Sequence, residues 1–201
     1  MRYTFLLLIF IFNTLCTPVC AQEMMYEDTS RIGLPYAKDP HVVKFKGRYL
    51  MYYSIPPRQW NGMEGWNIGI AESHDLVNWK RVGEITPQAG LEYEKKGLCA
   101  PGAIVRKGHV HLFYQTYGNG PKDAIYHAVS KDGINFTRLS NKPFKPNGKP
   151  GEWNSSESGH PHLFTDKDGR TYLFYQGNPD NGKTWLITQE EVHWNNKTPH
   201  L

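Results

Sequence analysis

The sequence predicts an all-β fold, a β-propeller of four-stranded antiparallel blades with three blades visible. Three observations carry that expectation. A unit of strand, glycine turn and strand recurs at a constant interval. Nineteen Gly and 14 Pro punctuate short runs rich in Tyr, Phe and Trp, the composition of strands separated by turns. Beyond the first 21 residues, no segment has the apolar periodicity of a long helix.

Residues 1–21 read as a signal peptide rather than as part of the fold. Arg2 supplies a positive start, Phe5 to Phe12 an apolar stretch, and Val19-Cys20-Ala21 small residues ahead of Gln22. The apolar stretch is shorter than the roughly 20 residues a membrane span needs. The expectation is a secreted or periplasmic chain, with residues 22–201 as one propeller domain. Cys99 is the single cysteine beyond the leader, so no disulfide framework is expected and packing must stabilise the fold.

The blades follow in order, at about residues 36–87, 98–146 and 157–196. Lys38-Asp39-Pro40-His41-Val42-Val43 leads through Lys46-Gly47 to Tyr49-Leu50-Met51-Tyr52-Tyr53. Cys99-Ala100-Pro101-Gly102-Ala103-Ile104 leads through Lys107-Gly108 to Val110-His111-Leu112-Phe113-Tyr114. Gly159-His160-Pro161-His162-Leu163-Phe164 leads through Asp168-Gly169 to Thr171-Tyr172-Leu173-Phe174-Tyr175. Gly47, Gly108 and Gly169 stand 61 apart, as do Tyr53, Tyr114 and Tyr175. Third strands are expected at Ile68 to Ser73, at Ala124 to Ser130 and, less regularly, at Thr184 to Ile187 with a final Trp194. The turns Ser73-His74-Asp75 and Ser130-Lys131-Asp132 are each closed by an aromatic residue four positions after the Asp.

A length of 201 residues suits a single domain, and 39% hydrophobic content is enough to bury a core, which excludes a disordered or fibrous chain. The formal charge is only +4, with basic residues scattered, so a nucleic-acid binder held by phosphate contacts is excluded as well.

The segments Lys38 to Val43 and Gly47 to Tyr53 resemble the first-blade signature of the five-bladed propeller glycosidases, the group containing glycoside hydrolase families 43, 32 and 117. Ser73-His74-Asp75-Leu76-Val77-Asn78-Trp79 is similar to their outer turn. The resemblance runs from about Ile32 to Trp194. It implies a glycosidase in which Asp39, opening the innermost strand, is the catalytic base. It also implies inversion at the anomeric carbon if family 43 or 117 is the better likeness, and retention if family 32 is. The sequence departs from the group at three points. Only three blades are visible, Ala100 stands where some relatives carry Asp, and no Glu-Gly-Pro-like segment marks the usual acid. Three blades of normal width do not close a ring, since propellers have about 4 to 8. The chain is therefore expected to be a shortened or partial version of a longer protein, with two blades absent near residues 137–142, or to assemble with another copy.

Strands of a blade alternate in direction, so the openings of the inner strands and the links from second to third strands share one face. That face collects Asp39, Glu157 and His160 as candidate catalytic groups, with Trp60, Trp66, Tyr117, His162, Asn178 and Asp180 as candidate sugar contacts. Aromatic faces stack on sugar C–H surfaces, while amides and carboxylates bind hydroxyls. Glycoside hydrolysis requires one ionised carboxylate to activate water and one protonated group to donate to the leaving oxygen. Asp39 suits the first task. Glu157, among Ser155, Ser156 and Ser158, or His160, an imidazole able to carry a proton near neutrality, suits the second. His41, His160 and His162 lack the spacing of a zinc site, and no loop reads as a Ca²⁺ ligand set, so no cofactor or metal is expected. The expected partner is an oligosaccharide of plant or algal origin, cleaved at a terminal sugar. A non-catalytic carbohydrate-binding module and an assembly protein remain the alternatives, and the oligomeric state is open.

Overall fold

A computed structural model describes residues 24–56, 65–117 and 124–201. The leader and Trp60 lie outside the described residues.

Among the described residues, twelve strands form three four-stranded antiparallel sheets, each in simple up-and-down order. The first holds β1 (Lys38–Phe45), β2 (Arg48–Ile55), β3 (Asn67–Ser73) and β4 (Lys80–Ile85). The second holds β5 (Leu98–Arg106), β6 (His109–Thr116), β7 (Ile125–Ser130) and β8 (Thr137–Arg138). The third holds β9 (Glu157–Thr165), β10 (Thr171–Asn178), β11 (Leu186–Asn195) and β12 (Thr198–His200). The innermost strands run beside one another, β1 along β5 and β5 along β9, so the sheets are blades arranged around a common inner edge. Three four-stranded blades around one inner edge make an incomplete β-propeller, since a closed ring has about 4 to 8 blades.

The repeat is visible in the hydrogen bonds. Lys46-Gly47 and Lys107-Gly108 are two-residue hairpin loops with positive φ at both positions, at 49° and 80° and at 45° and 70°. That backbone twist matches the flanking strands. Asp75 and Asp132 close matching turns: each accepts the amides two and three residues on and the side-chain amide of Asn78 or Asn135. Ser73 and Ser130 complete both turns from the preceding strand end.

Blade faces stack in series. Tyr52, Ile68 and Ile70 of the first blade join Ala103, Val110, Leu112 and Tyr114 of the second in one cluster. Phe113 and Ile125 of the second join Leu163, Leu173 and Tyr175 of the third in another. At the near end, Met51 and Tyr53 are covered by Tyr26 and Trp79. Buried Asp28 accepts the hydroxyl of Tyr53 at 2.8 Å and Nε of Arg81 at 3.1 Å. At the far end the pattern stops. Ile68 and Ile125 are 0% exposed, whereas Ile187, in the same register position of the third blade, is 80% exposed. Phe174 is 39% exposed where Tyr52 and Phe113 are 0%.

A short 3-10 turn, Glu92–Glu94, links the first two blades. It delivers Glu94, fully buried, to Nη2 of Arg138 at 3.0 Å and to the hydroxyl of Tyr114 at 2.5 Å.

Candidate active cleft

The candidate site forms where the three inner strands begin. Each opens with a residue followed by proline: Asp39-Pro40, Ala100-Pro101 and His160-Pro161. Proline cannot donate to the ladder, and each pairing slips at that point, between Lys38 and His41, between Cys99 and Gly102, and opposite the stretch between Phe174 and Gln176. The residue before each proline adopts a left-handed backbone, with φ of 54° at Asp39, 46° at Ala100 and 48° at His160. Such conformations cost about 1–3 kcal/mol at a non-glycine residue and persist only where their surroundings hold them. Three strained residues at corresponding positions of three blades are therefore a built feature.

Their consequence is convergence. Asp39, Ala100 and His160 line one open cleft of about 200 Å³, together with His41, His162 and the three prolines. The side chain of Asp39 is 23% exposed. Its Oδ2 accepts the hydroxyl of Ser54 at 2.8 Å and lies 3.4 Å from Nζ of Lys38. The rings of His41 and His162 lie with centroids 5.4 Å apart and planes inclined by 49°. Burial, and then the neighbouring His162, hold the His41 imidazole below its ordinary pKa, while a backbone hydrogen bond at Ala103 acts the other way.

Glu157 sits at the start of β9, 8% exposed, and is not among the residues lining the cleft. Its Oε1 accepts Nε2 of Gln115 at 3.2 Å and Nε2 of Gln176 at 3.4 Å, and its Oε2 accepts Nδ2 of Asn178 at 3.3 Å. Asn178 is itself buried and ties back to the amide of Gly182. Trp66 is buried against Cys99, Ala100, Tyr36 and Tyr117, behind the left-handed Ala100. Nζ of Lys38 lies over the Trp66 ring, 4.8 Å from its centroid. Asp180 lies on an exposed turn and accepts the amides of Lys183 and Thr184 and the Thr184 hydroxyl. Those bonds, the Thr184 amide first, hold its carboxyl below the usual range. The structure thus brings Asp39, His160 and His162 together. It places Glu157, Asn178, Trp66 and Tyr117 around that centre and Asp180 on an outer turn. Among the described residues no group of three or more His, Cys, Asp or Glu side chains is arranged to hold a metal ion.

Sequence reasoning overlooked Ser54, Gln115 and Gln176. The signal was present, because each directly follows one of the tyrosines spaced 61 apart.

Comparison with known proteins agrees with this architecture. Residues 32–197 match the sequence model of glycosyl hydrolases family 43. The 1,2-beta-oligomannan phosphorylase of Thermoanaerobacter sp. (strain X514) is 32% identical over 112 residues, 51% of this chain and 36% of that protein. Among solved structures, a thermostable family-43 glycoside hydrolase superposes with a TM-score of 0.62 at 22% identity, covering 84% of this chain and 52% of that one. A family 117 glycoside hydrolase of the marine bacterium Zobellia galactanivorans gives 0.63 at 20% identity, with coverages of 78% and 51%. The chain therefore spans about a third of that curated relative and about half of those structures.

Proposed function

Because this chain belongs to glycosyl hydrolase family 43, we propose that it hydrolyses O-glycosyl bonds of oligosaccharides, with its chemistry at the cleft shared by Asp39 and His160. The observation that carries the reading is the pair of left-handed residues that turn a carboxylate and an imidazole into one open cleft.

Asp39 takes a proton from water as the water oxygen attacks the anomeric carbon. The bond from that carbon to the leaving oxygen breaks, and His160, protonated, supplies a proton to that oxygen. The proposed outcome is inversion, which requires the acid and the base to stand far enough apart to admit a water between sugar and base. His160 is chosen over Glu157 because it lines the cleft, whereas Glu157 is turned onto the amides of Gln115, Gln176 and Asn178. The substrates are plant or algal oligosaccharides cut at a terminal sugar, by a protein exported under the direction of residues 1–21. The open, shallow cleft suits the end of a sugar chain.

The test is incubation of the folded chain with arabino-, xylo-, galacto- and agaro-oligosaccharides, reading reducing sugar and, by proton NMR, the first anomer released. Release that Asp39→Asn abolishes supports the proposal; a folded chain that releases nothing overturns it. A second reading, a non-catalytic sugar-binding module, is favoured by one observation: Ala100 occupies the second of the three left-handed positions, leaving Asp39 as the single carboxylate that lines the cleft among the described residues. Sugar binding without turnover, unchanged by Asp39→Asn, selects it.

A further inference from the structure

The three left-handed residues raise the question of what holds them. At Ala100 and His160 the answer comes from the preceding blade and from one repeat position. Ser54 closes the second strand of blade one, and its fully buried Oγ accepts the amide of Ala100 at 2.7 Å. Gln115 stands 61 residues later, at the same point of blade two, and its Oε1 accepts the amide of His160 at 3.1 Å. Both residues are fully or almost fully buried.

Each also binds a carboxylate with its donor. The Ser54 hydroxyl donates to Asp39, and Nε2 of Gln115 donates to Glu157. The two side chains differ in kind, a hydroxyl and a carboxamide, yet perform the same double task. One is single-atom short and the other long, because Ser54 reaches a carboxylate of its own blade and Gln115 one of the next. The fit at Gln115 is tight: a Cβ on Gly159 would stand 2.2 Å from Gln115 Oε1.

We propose that Ser54 and Gln115 are positioning residues, which fix the left-handed backbone of the next inner strand and thereby set Asp39 and His160 in register across the cleft. The inference rests on the glycosidase reading for its catalytic consequence, but not for the bridges themselves. A purely structural role would also satisfy an amide that the strand slip has removed from the ladder. The two roles part in kinetics, since misplacement of reacting groups lowers turnover without weakening ground-state binding.

The experiment combines amide hydrogen exchange with steady-state kinetics on Ser54→Ala, Ser54→Thr and Gln115→Met. Exchange at Ala100 is expected to quicken by about tenfold or more in S54A and to recover in S54T, and exchange at His160 to quicken likewise in Q115M, the scale of one lost buried hydrogen bond. The turnover number is expected to fall by about tenfold or more in S54A and Q115M, with KM changed by less than about threefold, and to recover in S54T. Should Q115M fail to fold, Gly159→Ala displaces the same carboxamide while deleting no polar group, and the same result at His160 is expected. Unchanged exchange at both amides overturns the proposal, and so does faster exchange with undiminished turnover. If the unmutated chain releases no sugar, the glycosidase reading falls and the exchange data alone decide whether the bridges hold.

Discussion

Nδ1 of His111 lies 3.0 Å from Nε2 of His127, with both rings buried and inclined by only 13°. One proton shared between two neutral imidazoles satisfies this contact, and protons on both facing nitrogens would break it. Burial pushes His111 down to about 4, helped by His109, Arg106 and Lys197, and pushes His127 down to about 3, helped by His111. Phe113 and Trp194 pack against the pair and offer no compensating charge.

Acid is therefore expected to destabilise the protein early. In the unfolded chain these imidazoles take up protons near pH 6.5, while in the folded chain they do so only near 4 and 3. The pair's contribution is therefore present above pH 6.5 and is lost progressively as pH falls below it, the two imidazoles titrating together. Urea midpoints at pH 7, 6 and 5 measure the slope, and His127→Asn should remove about half of it. A flat profile over that range would contradict the assignment.

Removal of one partner from the buried Glu94–Arg138 pair is expected to be costly. Glu94 is 0% exposed and also receives the Tyr114 hydroxyl and the amide of Gln88. Arg138→Met leaves that carboxylate without its cation, at roughly 3–5 kcal/mol. Urea unfolding checks this, and a loss under about 1 kcal/mol would show that water reaches the site.

The two candidate acids are separable by leaving group. His160→Asn should lower hydrolysis of natural oligosaccharides by about 10²–10⁴-fold but spare aryl glycosides whose leaving oxygen needs no proton. Glu157→Gln places a carboxamide against the amides of Gln115, Gln176 and Asn178 and should weaken both substrate types alike. A mutant of Glu157 that shows the selective loss would transfer the acid role to it.

The bare face of the third blade is expected to drive self-association. Phe164, Phe174 and Ile187 share one face of that blade by register and are all exposed, and apolar surface grouped in this way is unusual on a monomer. Sedimentation velocity should show concentration-dependent association that Ile187→Lys reduces, with the urea midpoint changed by less than about 0.5 kcal/mol equivalent.

Much of this was legible in the sequence, for physical reasons. The interval of 61 residues fixed the three blades because equivalent turns must recur wherever equivalent strands do. Asp39 and His160 could be placed at the cleft because strands of a blade alternate in direction, so the openings of the inner strands gather on one face. Their left-handed backbone was not legible, since non-glycine residues rarely adopt it and nothing local demands it. The last blade was harder for another reason. Its third strand reads Thr188-Gln189-Glu190-Glu191, too polar to look like a strand, yet β11 pairs with β10 without a slip from Val192 opposite Thr171 to Leu186 opposite Gly177. Trp66 reads as a sugar platform by residue type, but its burial against Cys99 and Ala100 depends on contacts between blades that spacing alone does not specify.

The serial stacking of the blades also governs how the molecule comes apart. Among the described residues the middle blade has a packed neighbour on each side, whereas the third packs against the second alone. Such an assembly behaves as a short row of coupled units, with its free energy divided among the units and their contacts. Loss of order should begin at the third blade and advance inward, so fluorescence of Trp185 and Trp194 would report an earlier melting transition than Trp66.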